Sequence, residues 1–239
     1  MYGKFLTRSK EAEIMDDFGI SGDMLNKALK DITWVNRWLG GNLISINALK
    51  TWLKHQAPAP AQPLRLVDLG CGSGDTLRGI ARWARKQDLE LELVGIDANP
   101  HTIEIAREAA TAFPEISFKV ADVFCDCPLK DFDLVLCGLF LHHLEDAEQI
   151  KLLTHIREAG VKGLLINDLQ RNPLAYYLFQ LVCWGMRISP MARKDGLLSI
   201  LRSFRKKELV ELMAQSEITH YQLAWKWAFR YQLVAFPST

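Results

Sequence analysis

Apolar positions along this chain recur in two rhythms. From residue 11 to about 56 they fall three and four apart. Met24, Leu25, Ala28, Leu29, Ile32, Val35, Trp38 and Leu39 make one stripe, and Leu43, Ile46, Leu49 and Leu53 make another. That is the spacing of helices with one buried face. Glu11–Asp17 reads as a short acidic helix ahead of them. Gly40-Gly41 stops the first long stripe, and Asn42 is placed to cap the next.

From Leu64 the rhythm changes. Nearly continuous apolar runs at 64–69, 91–97, 117–121, 134–137 and 163–168 read as strands. Between them lie helical stripes: Leu77, Ile80, Ala81 and Ala84; then Ile103, Ala106, Ala110 and Phe113; then Ile150, Leu153 and Ile156. Asn99-Pro100 is a cap followed by proline at the first helical position. This alternation predicts right-handed βαβ units and an α/β, doubly wound, mostly parallel sheet covered on both faces. Lys206–Ala214 predicts a last helix, and 219–227 with 229–236 predict a closing hairpin.

The chain divides into a helical N-terminal cap over 1–56, a proline-rich linker over 57–63 and the sheet domain over 64–239, with a helical insertion at about 173–200. Residues 174–188 carry Arg187 as their only charge. They are too few to span a bilayer. The reading favoured is a lid over a hydrophobic substrate; a core helix and an interfacial membrane-binding helix are the alternatives.

Composition narrows the picture. The chain has 239 residues, 49% of them hydrophobic, which is ample for a buried core. A formal net charge of +1 gives no electrostatic case for nucleic acid. The N-terminus lacks the apolar run of a signal peptide, and five cysteines, an odd number, argue for reduced thiols and a cytoplasmic protein.

Candidate chemistry begins at the first strand. Leu66-Val-Asp-Leu-Gly-Cys-Gly-Ser-Gly-Asp-Thr76 runs from strand to helix through Gly70, Gly72 and Gly74. Such glycines let the backbone turn tightly and let a ligand approach it. The dinucleotide fingerprint needs a small sixth residue, and here it is Asp75; a P-loop needs Gly-Lys-Ser/Thr, which is absent. Asp68, two residues before the first glycine, repels phosphate and attracts an ammonium group.

The string Asp68-x-Gly70-x-Gly72-x-Gly74 resembles motif I of class I S-adenosylmethionine-dependent methyltransferases. The closing hairpin is similar to the last two strands of that family's seven-stranded sheet, whose final strand is antiparallel. Asp97 ends the second strand, where a carboxylate can accept from both ribose hydroxyls. Asp122 resembles the residue that accepts from the adenine amino group, with Val123 along the ring. Gly138 and Leu139, in Asp133–Leu144, are expected near the sulfonium. The resemblance therefore implies S-adenosylmethionine as cofactor, held by Asp68, Gly70, Cys71, Gly72, Gly74, Asp97, Ala98, Asp122, Val123, Gly138 and Leu139.

His142 or His143 is the candidate general base, because histidine titrates near working pH; the alternative is that one packs or caps the next helix. Cys125-x-Cys127 is tighter than zinc-ligand spacing, so no metal is expected. Asn167, Asp168, Gln170, Arg171 and Asn172 either border the crevice or cap the helix after Pro173. The resemblance implies methyl transfer to an oxygen, with carbon the lesser alternative, of an apolar aromatic acceptor such as a polyketide, phenol or quinol. Trp34, Trp38 and Trp184 motivate the apolar acceptor. The rival reading is a non-catalytic S-adenosylmethionine-binding partner or sensor.

Overall fold

The computed structural model describes residues 3–17, 19–56, 63–125 and 127–237. Most of the predicted linker, 57–62, lies outside the described residues. Five runs form parallel strands: β1 (Leu64–Leu69), β2 (Leu91–Asp97), β3 (Ile116–Val120), β4 (Leu134–Gly138) and β5 (Gly163–Leu169). The closing hairpin is β6 (Tyr221–Lys226) and β7 (Arg230–Ala235), with β7 antiparallel to both β5 and β6. The sheet order is β3-β2-β1-β4-β5-β7-β6. Strand order therefore reverses between β1 and β4, which in open α/β sheets marks the ligand crevice.

Alternate strand residues feed two cores. On one face Val67, Leu69, Val135 and Ile166 meet α5 (Asp146–Glu158) and α8 (Lys206–Gln215). On the other, Leu64, Leu66, Leu93 and Leu136 meet α3 (Asp75–Arg85) and α4 (Pro100–Ala109). The N-terminal helices divide between two jobs. α2 (Gly41–Lys54) is a layer of this second core: Trp52 is fully buried there and donates its indole N–H to the Lys162 carbonyl at 3.1 Å. α1 (Gly22–Trp38) instead packs on α7 (Pro190–Arg202) through Leu25, Ala28, Leu29, Met191 and Ala192. Only α1 and the segment before it lie over the strand ends as a cap.

Two local expectations need correction. Asn42 does not cap α2. Gly40, with φ 70°, is the cap residue, and the Asn42 amide reaches across to Asp75 Oδ2 at 3.1 Å. A left-handed glycine turns the chain without a side-chain cap, which leaves Asn42 to tie α2 to α3. Glu11–Asp17 is not a helix but a single 3-10 turn at Ile14–Asp16. Its backbone is organised from outside: the Asp195 carboxylate accepts from the Ile14 and Met15 N–H groups at 2.8 and 3.0 Å. Asn99 does cap α4, accepting from His101 and Thr102, and Asn172 caps α6 (Pro173–Gly185).

Candidate active site

β1 ends against the glycine loop. Gly70 has φ 68°, and a Cβ there would come within 2.3 Å of the Phe140 ring. The Cys71 N–H donates to the Ile96 carbonyl, and the Gly72 N–H to Asp97 Oδ2 at 3.0 Å. The loop is thereby stitched to the end of β2. Gly72 has φ 52° with open space where a Cβ would be, so its backbone can be approached closely. Gly74 differs from the expectation of ligand contact: it is the cap residue of α3, and its missing Cβ makes room for Phe118 rather than for the cavity. Cys71 packs into the core beneath the loop and also borders the cavity.

That cavity, of about 940 Å³, lies beyond the carboxyl ends of the strands. Asp68, Gly70, Cys71, Gly72, Asp97, Ala98, Asp122, Val123, Gly138 and Leu139 all line it. Asp97 Oδ1 also accepts from the Asn99 N–H at 3.0 Å, so both carboxylate oxygens are fixed in place. Asp122 does double service, because its Oδ1 accepts from the Phe124 N–H at 2.9 Å within its own turn.

The electrostatics favour a cationic ligand. Asp68 is buried, and its Oδ1 has no hydrogen-bond partner among the described residues. Burial, and then the charges of Asp75 and Asp97, push its carboxyl well above the usual range. Burial also raises Asp97, against the pull of its two backbone donors. Three carboxylates around one cavity end oppose phosphate and are relieved by an ammonium or sulfonium group. S-adenosylmethionine carries both and no phosphate, so these residues fit it.

The other end of the cavity is apolar. Leu29 and Ile32 of α1, Leu178, Phe179 and Val182 of α6, and Ile200 of α7 line it. The tryptophans expected there are elsewhere: Trp38 is 72% and Trp184 81% exposed, and Trp34 stacks on Trp38. The lining aromatics are Phe124, Phe140, Phe179, Trp227 and Phe229.

The two histidines sit in a 3-10 turn, Leu141–His143, after β4. His142 is buried with Nδ1 at 2.7 Å from Asp168 Oδ1. Burial works to raise Asp168, and the His142 imidazole outweighs it and holds the carboxyl below its ordinary value. His143 is half-buried with Nδ1 at 2.7 Å from Asp16 Oδ1. Arg202 gathers the cluster, donating to Asp16 Oδ2 and to the carbonyls of both histidines. Glu13 lies alongside, its Oε2 accepting from the Ser199 hydroxyl at 2.8 Å. Burial pushes the Glu13 carboxyl up to about 7, only partly offset by His143 and Ser199.

Neither cysteine of Cys125-x-Cys127 joins this group. Cys127 is in the core, and Cys125 Sγ lies 3.7 Å from Asp122 Oδ2. Asn167 lines the cavity, whereas Arg171 turns away to Phe5, Ser203 and Glu208. Sequence reading missed Glu13, Asp16, Asn36, Arg202 and Arg230. Arg230 is fully enclosed on the cavity wall with Asn36 Oδ1 at 2.8 Å, and burial lowers it to about 10. A lone arginine in a strand gives no signal of this; Glu13 and Asp16 stood only in an acidic stretch.

Residues 66–163 match the family model described as a methyltransferase domain. Ajmaline N-methyltransferase of Rauvolfia serpentina is 31% identical over 117 residues, 46% of this chain and 38% of that protein. The ubiquinone biosynthesis O-methyltransferase of Cereibacter sphaeroides is 30% identical over 145 residues, 58% of this chain and 55% of that protein. The matches thus span about half or less of those relatives' lengths. Human N-acetylserotonin methyltransferase, solved with S-adenosylmethionine, shares the fold with a TM-score of 0.63 at 18% identity, covering 96% of this chain and 63% of that one. The glycine loop and its carboxylates lie inside the matched segment, and the seven-stranded sheet with its antiparallel last strand is the kind the resemblance implied. Residues 66–163 are thus similar to a methyltransferase domain, and the sheet as a whole has the fold of a solved S-adenosylmethionine-bound methyltransferase.

Proposed function

We propose that this chain moves the methyl group of S-adenosylmethionine to an oxygen of an apolar, aromatic small molecule such as a phenol, quinol or polyketide. The observation that carries the reading is the apolar chamber of α1, α6 and α7, which opens onto Gly138, Leu139 and His143 at the end of β4. The bound cofactor supplies an electrophilic methyl on a sulfonium. The chain supplies alignment and a water-poor chamber, which an in-line displacement needs more than a strong base.

His143 is the better candidate for taking the acceptor's proton. Its Nδ1 proton is engaged by Asp16, which leaves Nε2 as the acceptor. His142 is enclosed and tied to Asp168, so its role is to hold the turn. α6 serves as the lid, with Leu178, Phe179, Leu181 and Val182 on the cavity and Trp184 outside. The ubiquinone-pathway relative supports an oxygen acceptor by its name alone; the ajmaline relative's name states a nitrogen.

The test is methyl transfer from labelled S-adenosylmethionine to a panel of phenols, quinols, amines and free amino acids. Fastest labelling of apolar phenols or quinols is expected, reduced at least 10-fold in His143→Gln on general-base grounds. Fastest labelling of a free amino acid would overturn the apolar acceptor. Tight cofactor binding without turnover on any acceptor would favour the non-catalytic reading.

A further inference from the structure

One cluster holds more carboxylate than the proposed chemistry uses. Glu13, Asp16, Asp168 and Asp195 surround His142 and His143, and among the described residues Arg202 is the one Lys or Arg that contacts a carboxylate of this group. Arg8 approaches too, but it spends its donors on carbonyls and on Asp146. With both histidines neutral, the cluster has three more negative charges than positive ones if Glu13 is ionised, and two more if it is not. Buried charge of that kind is paired or coordinates a cation.

The unpartnered atoms point at one spot. Glu13 is 5% and His142 2% exposed. Glu13 Oε1 and His142 Nε2 have no hydrogen-bond partner among the described residues, yet face each other at 3.8 Å. His143 Nδ1 lies 3.9 Å from the same Glu13 oxygen. One donor atom from each of the three falls within 4.8 Å of the others. A four-coordinate ion with bonds of about 2.0–2.1 Å spaces its donors by about 3.4 Å, so each histidine must close on Glu13 Oε1 by about half an ångström, and the two histidine donors, which lie within 4.8 Å of each other, must draw together as well. His142 Nδ1 is already oriented by the Asp168 carboxylate, the outer support that metal-bound histidines have.

We propose that Glu13, His142 and His143 form a binding site for a first-row divalent transition ion, with Asp16 beside it as a fourth oxygen donor. Two imidazoles and carboxylates suit zinc, cobalt or iron over magnesium or calcium. This goes beyond the methyltransferase reading and departs from the sequence expectation of no metal. Ligation through Nδ1 shifts the one proton of neutral His143 from Nδ1 to Nε2, and a protonated Glu13 gives up its own proton to solvent. With its proton on Nε2, His143 is withdrawn from base duty while the site is occupied.

The test uses chelator-stripped full-length protein and zinc alone. Equilibrium dialysis with elemental analysis is expected to give one zinc per chain. Affinity should fall at least 10-fold in Glu13→Gln and in His142→Gln, and be unchanged in Cys125→Ser. Cobalt supplies a readout on the wild type, in case a histidine variant fails to fold: its visible bands should appear without a thiolate charge-transfer band. Less than one zinc per chain, zinc binding lost in Cys125→Ser, zinc binding unchanged in Glu13→Gln, or a cobalt–thiolate band would each overturn the site. None of these outcomes depends on methyl transfer.

Discussion

At the scale of single residues, neighbouring glycines of one loop do different work. Gly70 and Gly72 both have positive φ, but only Gly70 lacks room for a Cβ, with Phe140 at 2.3 Å. Gly72→Ala should cost only the conformational term, about 1–2 kcal/mol. Gly70→Ala should add overpacking and cost about 2–4 kcal/mol in all, since Phe140 must turn away. Urea denaturation of both variants checks the order; equal losses would contradict the contact. The thiols give a second prediction. Burial raises Cys71 and Cys137 and pushes Cys127 and Cys183 up to about 11. A group with its pKa near 11 is about 0.1% thiolate at pH 8. Exposed Cys125 should therefore be the one cysteine alkylated quickly in the native protein at that pH, with all five reacting after unfolding, as intact mass spectrometry would read.

At the scale of elements, the short segment before α1 is held from a distance. Asp195 on α7 takes the N–H groups of Ile14 and Met15, and Ser199 takes Glu13. Asp195→Ala strands two donors and should lower stability by about 2–3 kcal/mol. It should also open residues 3–17 to limited proteolysis before the sheet core is cut, as peptide mapping would show; simultaneous cleavage everywhere would contradict this. The same segment explains what the sequence left illegible. β1, β2, β4 and β5 stood out because a strand buried on both faces is apolar throughout, and Asn99-Pro100 announced α4 because a cap is written in adjacent residues. The turn at Ile14–Asp16 has only a one-turn local signature, Asp16 Oδ2 accepting from the Glu13 N–H, and its other support lies 180 residues away on Asp195. α2 read as part of an appendage because periodicity reports one buried face, not which partner covers it. Trp52 under Lys162 decides that only in three dimensions.

At the scale of the whole molecule, the sheet brings the carboxyl ends of its five parallel strands to one cavity, and the N-terminal segment and the α6–α7 insertion enclose its far side. The cofactor end was legible because Asp68, the glycine loop and Asp97 follow a fixed chain geometry from strand to helix. The acceptor end was legible only as an apolar stretch, and its tryptophans misled: at helical spacing they fall on α1 and α6, but on the outward faces. Nor could local pattern pair Glu13 and Asp16 with two histidines well over a hundred residues later. The central claim is that the carboxylate-lined loop binds S-adenosylmethionine. Isothermal titration calorimetry with S-adenosylhomocysteine and, separately, with NADH tests it most directly, on wild type and on Asp97→Ala checked for native circular dichroism. The account predicts binding of S-adenosylhomocysteine alone, weakened at least 10-fold in the variant by the lost charge-assisted hydrogen bonds. Binding of NADH alone, or S-adenosylhomocysteine binding unaltered by Asp97→Ala, would contradict it.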